Sequence, residues 1–181
     1  AVPVCVCVPD HGQHGLRRLR NLREHDPGRR QYRCAWSNTD PLMSTYHDNE
    51  WGKPVHDDNV LFEFLILEGA QAGLSWQTIL NKRKNYRKAF KEFNPIEVSN
   101  YGAKEIKQLL ANPGIVRNRL KITAAIKNAQ ALLNIQSEFG SFDTYIWHFV
   151  GGKPLNHKIE SMQDIPASSQ ESKVMSRDLL K

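Results

Sequence analysis

DDNVLFEFLILEGAQAGLSW, residues 57–76, is the stretch whose reading decides the fold of this chain. Asp57 or Asp58 supplies an N-cap, and Val60, Leu61, Phe64, Leu65 and Leu67 then cover more than one face of a helix. A helix that is apolar on more than one side belongs inside a packed core with other helices around it. The run Val60–Leu67 is the longest apolar stretch in the chain, and Glu63 interrupts it. It falls far short of the ~20 residues that a bilayer crossing needs, so the reading has no membrane partner. Glu63 reads as a residue on a wet helix face. Glu68 closes the run, where a carboxylate is drawn into apolar surroundings at a cost unless it finds partners.

The segments downstream continue in the same texture. A second helix is predicted over 77–90, with Asn94-Pro95 ending the segment after it. SNYGAKEIKQLLAN is a short amphipathic helix stopped by Pro113-Gly114, and IVRNRLKITAAIKNAQALLNIQSEF carries a long helical stripe. SFDTYIWHFV and the stretch after Pro166-Ala167-Ser168-Ser169 read as two more short helices. No segment alternates with a period of two and no repeat is visible, so the fold class is all-α. Composition agrees: 181 residues, 40% hydrophobic and 24% charged, suit one ordinary domain and exclude a fibrous or disordered chain.

The net charge of +6 is unevenly placed, because residues 1–33 hold seven arginines against Asp10, Glu24 and Asp26. Residues 1–32 read as a separate basic tract, disordered or non-native, with a basic arm on nucleic acid as the other reading. Its start, AVPVCVCV, has no basic residue before the apolar run, which argues against a secretory signal. The odd count of three cysteines, without framework spacing, points to a reducing compartment.

Four groups of residues carry candidate chemistry. Cys34 and His47 are zinc-ligand types, but two ligands do not make a site; from spacing alone a buried thiol and a hydrogen-bonded imidazole explain them better than a metal. Glu68 is either a helix-end residue in solvent or a carboxylate held ready for a polar or cationic ligand. Gly73 lets a backbone approach a ligand closely, and Leu74 beside it is either a core residue or a wedge between bases, with Trp76 close behind. The basic runs KRKNYRKAFK (82–91) and RNRLK (117–121) are solvated helix faces or phosphate contacts. In the second run Arg117, Arg119 and Lys121 lie at a helix entry, where free amides favour phosphate. Nucleotide-binding glycine loops, HExxH and GxSxG are absent.

The stretch CAWSNTDPLMSTYHDNEWGKPVHDDNVLFEFLILEGAQAGLSWQTIL strongly resembles the N-terminal region of the DNA-3-methyladenine glycosylase I family, helix-hairpin-helix base-excision enzymes. The likeness runs on through FNP, GIVRNRLKITAAIKNA, FVGGKP and IPASSQESKVMSRDLLK, over residues 33–181. The resemblance implies a monofunctional hydrolase that cleaves the N-glycosidic bond of 3-methyladenine in double-stranded alkylated DNA. It implies a monomer in the cytoplasm, or in the nucleus of a eukaryote. It places Trp36, Tyr46, Glu68 and Trp76 around the methylated base, with Glu68 the catalytic acid group. Gly73 and Leu74 match the loop pushed into the duplex. The resemblance also implies a structural zinc on Cys34 and His47, its other His and Cys lying with a basic hairpin beyond Lys181, so the chain reads as truncated. A non-catalytic binder of methylated purine is the alternative reading. Met43 stands where relatives often carry an aromatic ring, which loosens the expected pocket wall.

Overall fold

The computed structural model describes residues 33–155 and 168–180, and all regular structure among them is helical. The basic tract 1–32 lies outside the described residues. Two units divide the described residues: a small one at 33–53 with 155, and a larger one comprising 54–154 with 168–180.

The small unit has a 3-10 turn, Ala35–Thr39, packed on helix α1, Pro41–Asn49. Apolar periodicity predicts no helix here. Asp40-Pro41 nevertheless carries the start signal, since the Asp40 side chain accepts from Leu42 N–H at 2.7 Å and Pro41 occupies the first turn. Met43 and Tyr46, three residues apart and so on one face, are both buried.

The larger unit is built around α2 (Asp58–Gln71), which packs against α3 (Trp76–Ala89), α6 (Arg119–Phe139) and α7 (Phe142–His148). Asp57 caps α2 by accepting from Val60 N–H at 2.9 Å. Phe62 and Leu67 are completely buried, as a helix apolar on several faces requires. Around them lie Ile79, Phe90, Phe93, Val98, Ile122 and Leu132. Truncating a ring such as Phe62 to alanine costs about 3–5 kcal/mol, because the surrounding side chains only partly refill the void.

Asn94-Pro95 starts a helix instead of ending a segment. Asn94 accepts from Ile96 and Glu97 N–H, and Pro95 opens α4, Pro95–Ser99. The chain reaches that cap through Lys91, Glu92 and Phe93, all at φ between 51° and 57°. Left-handed backbone costs an L-residue about 1–2 kcal/mol. Phe93 compensates by entering the core, edge-on to Phe62 at 6.3 Å and stacked on Phe90 at 5.9 Å. Helix α5, Ala103–Ala111, leads into α6, and α8, Gln170–Asp178, is capped by Ser169.

Candidate functional site

Each unit carries its own set of groups. In the small unit the rings gather around His47. Trp36 lies 5.3 Å edge-on to His47, 5.2 Å edge-on to Trp51 and 6.5 Å from Tyr46, while His47 stacks on Trp51 at 5.2 Å. The 3-10 turn holds Trp36 in place through the completely buried Ser37. Its hydroxyl donates to Cys34 O at 2.8 Å, and its carbonyl accepts from the Ser44 hydroxyl at 2.7 Å.

His47 is oriented from both sides. Nε2 accepts from the Cys34 N–H at 3.4 Å, which places the ring proton on Nδ1, 3.1 Å from Asp48 Oδ1. Arg33 grips that carboxylate through Nε at 2.9 Å, and its hydrogen bond holds Asp48 below the usual carboxylate range. Residue types alone do not single out Arg33, Asp48 and Trp51 as a tie on His47. The adjacency of His47 and Asp48 is the available signal. Cys34 and His47 thus come together, and they are donors of the types zinc prefers. Among the described residues no group of three or more His, Cys, Asp or Glu gathers for a metal.

In the larger unit, Glu68, Gly73, Leu74 and Trp76 all lie where α2 gives way to α3. Glu68 is half-buried on the last turn of α2, beside the fully buried Leu67. Burial pushes its carboxyl up, and no hydrogen bond to a described side chain relieves it. Gly73 takes φ +79°, a left-handed conformation that glycine adopts without strain, and so reverses the chain. Leu74 comes next, with 40% of its surface exposed. It is no core residue. Ser75 then caps α3 by accepting from Thr78 N–H at 3.2 Å, and Trp76 begins that helix half-buried against the core.

The two basic runs divide unexpectedly. Glu63 faces water in the periodic reading, but it is buried. It accepts from Arg83 Nε at 2.7 Å and from Arg87 through a two-point contact at 2.8 and 2.9 Å. Period-based reading misses this because the face of α2 that carries Glu63 is covered by α3. Burial pushes the Glu63 carboxyl up, yet hydrogen bonds from Arg83 and Arg87 outweigh that and leave it below the ordinary range. In the second run Arg117 and Arg119 are exposed, and Asn118 caps α6 by accepting from Lys121 N–H at 3.1 Å. Lys121 sends its ammonium to Ala70 O at 2.8 Å and Ala72 O at 2.6 Å. Beside that contact an open hollow of about 270 Å³, lined by Leu65, Gly69, Ala72, Leu120, Lys121 and Ala124, separates α2 from α6.

The fold is that of the helical DNA glycosylases. A crystal structure of 3-methyladenine DNA glycosylase I superposes with a TM-score of 0.78 at 44% identity, covering 82% of this chain and 81% of that one. The Staphylococcus aureus 3-methyladenine DNA glycosylase I, solved to explain 3-methyladenine recognition, matches at 39% identity with a TM-score of 0.78, covering 81% and 78%. DNA-3-methyladenine glycosylase 1 of Escherichia coli K12 is 42% identical over 149 residues, 82% of this chain and 80% of that protein. The methyladenine glycosylase family model matches residues 36–181. This chain belongs to that family.

Proposed function

We infer that this protein is a DNA-3-methyladenine glycosylase: it hydrolyses the N-glycosidic bond of 3-methyladenine in alkylated DNA and leaves an abasic site for base-excision repair. Family membership over most of the chain is the observation that carries this reading. Methylation at N3 makes the base cationic, and the bond to deoxyribose weakens because the base departs neutral. Aromatic faces attract such a cation by roughly 0.5–2 kcal/mol each. Trp36, Tyr46 and Trp76 are the rings this reading assigns to that role.

Glu68 is the acceptor for the exocyclic amine and the negative charge near the base. A carboxylate without a described hydrogen-bond partner gains most from a cationic ligand, which is why this acid suits the role. Unmodified adenine carries no charge and gains less from the same groups. The lesion also pairs poorly, which lowers the cost of flipping it out of the helix. Binding the cation does not itself speed cleavage, because positive charge moves to the sugar as the bond breaks. The rate therefore rests on lability of the substrate and on negative charge near C1′, which backbone phosphates provide. Leu74 enters the duplex, on a turn that Gly73 makes possible. Arg117 and Arg119 meet the phosphates of double-stranded DNA, and one copy of the chain suffices.

Cys34 and His47 would be donors to a structural zinc once His47 gave up its hydrogen bond from the Cys34 N–H; such a metal would supply folding energy and take no part in bond cleavage. Metal content of the purified protein, before and after chelation, tests this.

Incubation with alkylated duplex DNA and chromatography of the released bases tests the main reading. Free 3-methyladenine is the expected product. Retention of alkylated DNA without release would mark a binder, not an enzyme.

A further inference from the structure

Lys121 reads in sequence as a phosphate contact, and its geometry points elsewhere. It stands in the first turn of α6, where its own N–H is capped by Asn118. Its side chain crosses to the end of α2 and donates to Ala70 O at 2.8 Å and Ala72 O at 2.6 Å. The last carbonyls of a helix have no partner within it, so this ammonium satisfies two groups that the end of α2 leaves open. Ala72 directly precedes Gly73, at φ +79°, and the exposed Leu74. One residue therefore joins the cationic entry of α6 to the turn that carries Leu74.

We propose that Lys121 is a positioning residue: it fixes the turn 72–74 against the entry of α6, so that a duplex held at Arg117 and Arg119 meets Leu74 at a set depth. The proposal rests on the reading of the chain as a DNA glycosylase whose Leu74 enters the helix. Two of the three ammonium protons are committed to carbonyls, and the lysine stem is half-buried along the wall of the hollow. The charge itself is not what the duplex reads. A lysine on a phosphate releases counterion and steepens the salt dependence of binding by about 0.9 in log–log slope, whereas a strut leaves that slope alone.

The test uses the full chain and the variants K121M, R119M, L74A and L74A/K121M. On an undamaged duplex over a salt series, R119M should flatten the slope by about 0.9 while K121M keeps the parent's slope. On alkylated duplex, K121M should release 3-methyladenine about 10- to 100-fold more slowly, the scale set by a misplacement near 1 Å. L74A/K121M should be no slower than L74A alone, because a strut that acts through Leu74 has nothing left to place; a merely structural loss would multiply. A slope lowered by one contact in K121M overturns the proposal, as do multiplying effects in the double variant. If circular dichroism shows K121M unfolded, K121Q, which keeps a donor and loses the charge, replaces it: a strut then keeps both the parent's slope and most base release, whereas a phosphate ligand loses one contact's worth of slope. A parent that releases no base overturns the glycosylase reading instead, and the salt slopes still separate strut from phosphate ligand.

Discussion

At the scale of one residue, the burial of Glu68 has two measurable consequences. Because its carboxyl titrates above the ordinary range, the folded chain holds a proton more tightly than the unfolded chain. Between the ordinary and the raised value the native state therefore binds more protons, and stability falls as pH rises through that window. Glu68→Gln removes the titration. The variant should melt at a higher temperature than the parent at neutral pH, and the gap should close in acid below the ordinary carboxylate range. Base release should move oppositely. Glu68→Ala should lose most 3-methyladenine release while its far-ultraviolet circular dichroism remains that of the parent. Chromatographic release at full parental rate would remove Glu68 from the reaction. The candidacy of Glu68 is visible in its place at the end of an apolar run, but its half-burial depends on how the neighbouring residues pack.

At the scale of elements, the α2–α3 hairpin is held by Glu63 between Arg83 and Arg87. Arg83 also places its guanidinium 5.3 Å over the Phe64 ring, which adds a cation–π contact to the clamp. Glu63→Gln leaves two guanidinium groups with a neutral partner, and the expected loss is about 3–5 kcal/mol, toward the lower value because Arg87 is partly exposed. Urea unfolding at neutral pH measures it. The sign with pH is the reverse of that at Glu68. The Glu63 carboxyl titrates below its ordinary value, so its stabilisation is complete above the unfolded value and is lost as pH falls through the folded one. The parent should therefore approach Glu63→Gln in stability as the solution is acidified. Helix positions are legible at this scale because caps and apolar periods are local. The 77–90 expectation differs by one residue at each end from Trp76–Ala89. Asn94-Pro95 misleads because an Asn-Pro pair both closes one segment and caps the next, and only the packing of the helix it opens distinguishes the two.

At the scale of the molecule, contacts distant in sequence tie the larger unit together. Asp58, in the first turn of α2, accepts from Phe142 N–H at 2.9 Å, Asp143 N–H at 2.7 Å and Gln136 Nε2 at 2.6 Å. One carboxylate thus caps α7 from more than eighty residues away. Asp58→Ala should cost at least about 2 kcal/mol, since hydrogen bonds to a charged group are worth about 1.5–3 kcal/mol each. Hydrogen exchange should show the loss first in α7. Tyr145 on α7 donates to Asp178 on α8 at 2.9 Å, and burial together with that carboxylate pushes its phenol up to about 12. Tyr145→Phe should accelerate amide exchange in α8 and leave α2 unchanged. Among the described residues no helix is long and apolar enough to cross a membrane.

The sequence by itself determined the helical class and most of the helices, and it brought Glu68, Gly73, Leu74 and Trp76 forward as candidates, because caps, periodicity and a glycine turn act within a few positions of the chain. It also brought Cys34 and His47 forward by residue type. Tertiary structure decided what the charges do. Glu63 became a buried clamp and Lys121 a bridge to the end of α2, and Asp58 acquired three distant donors. The physical reason is that the partner of a charged side chain lies across a packing interface: a solvated lysine and a helix-capping lysine look alike in sequence until the second helix arrives.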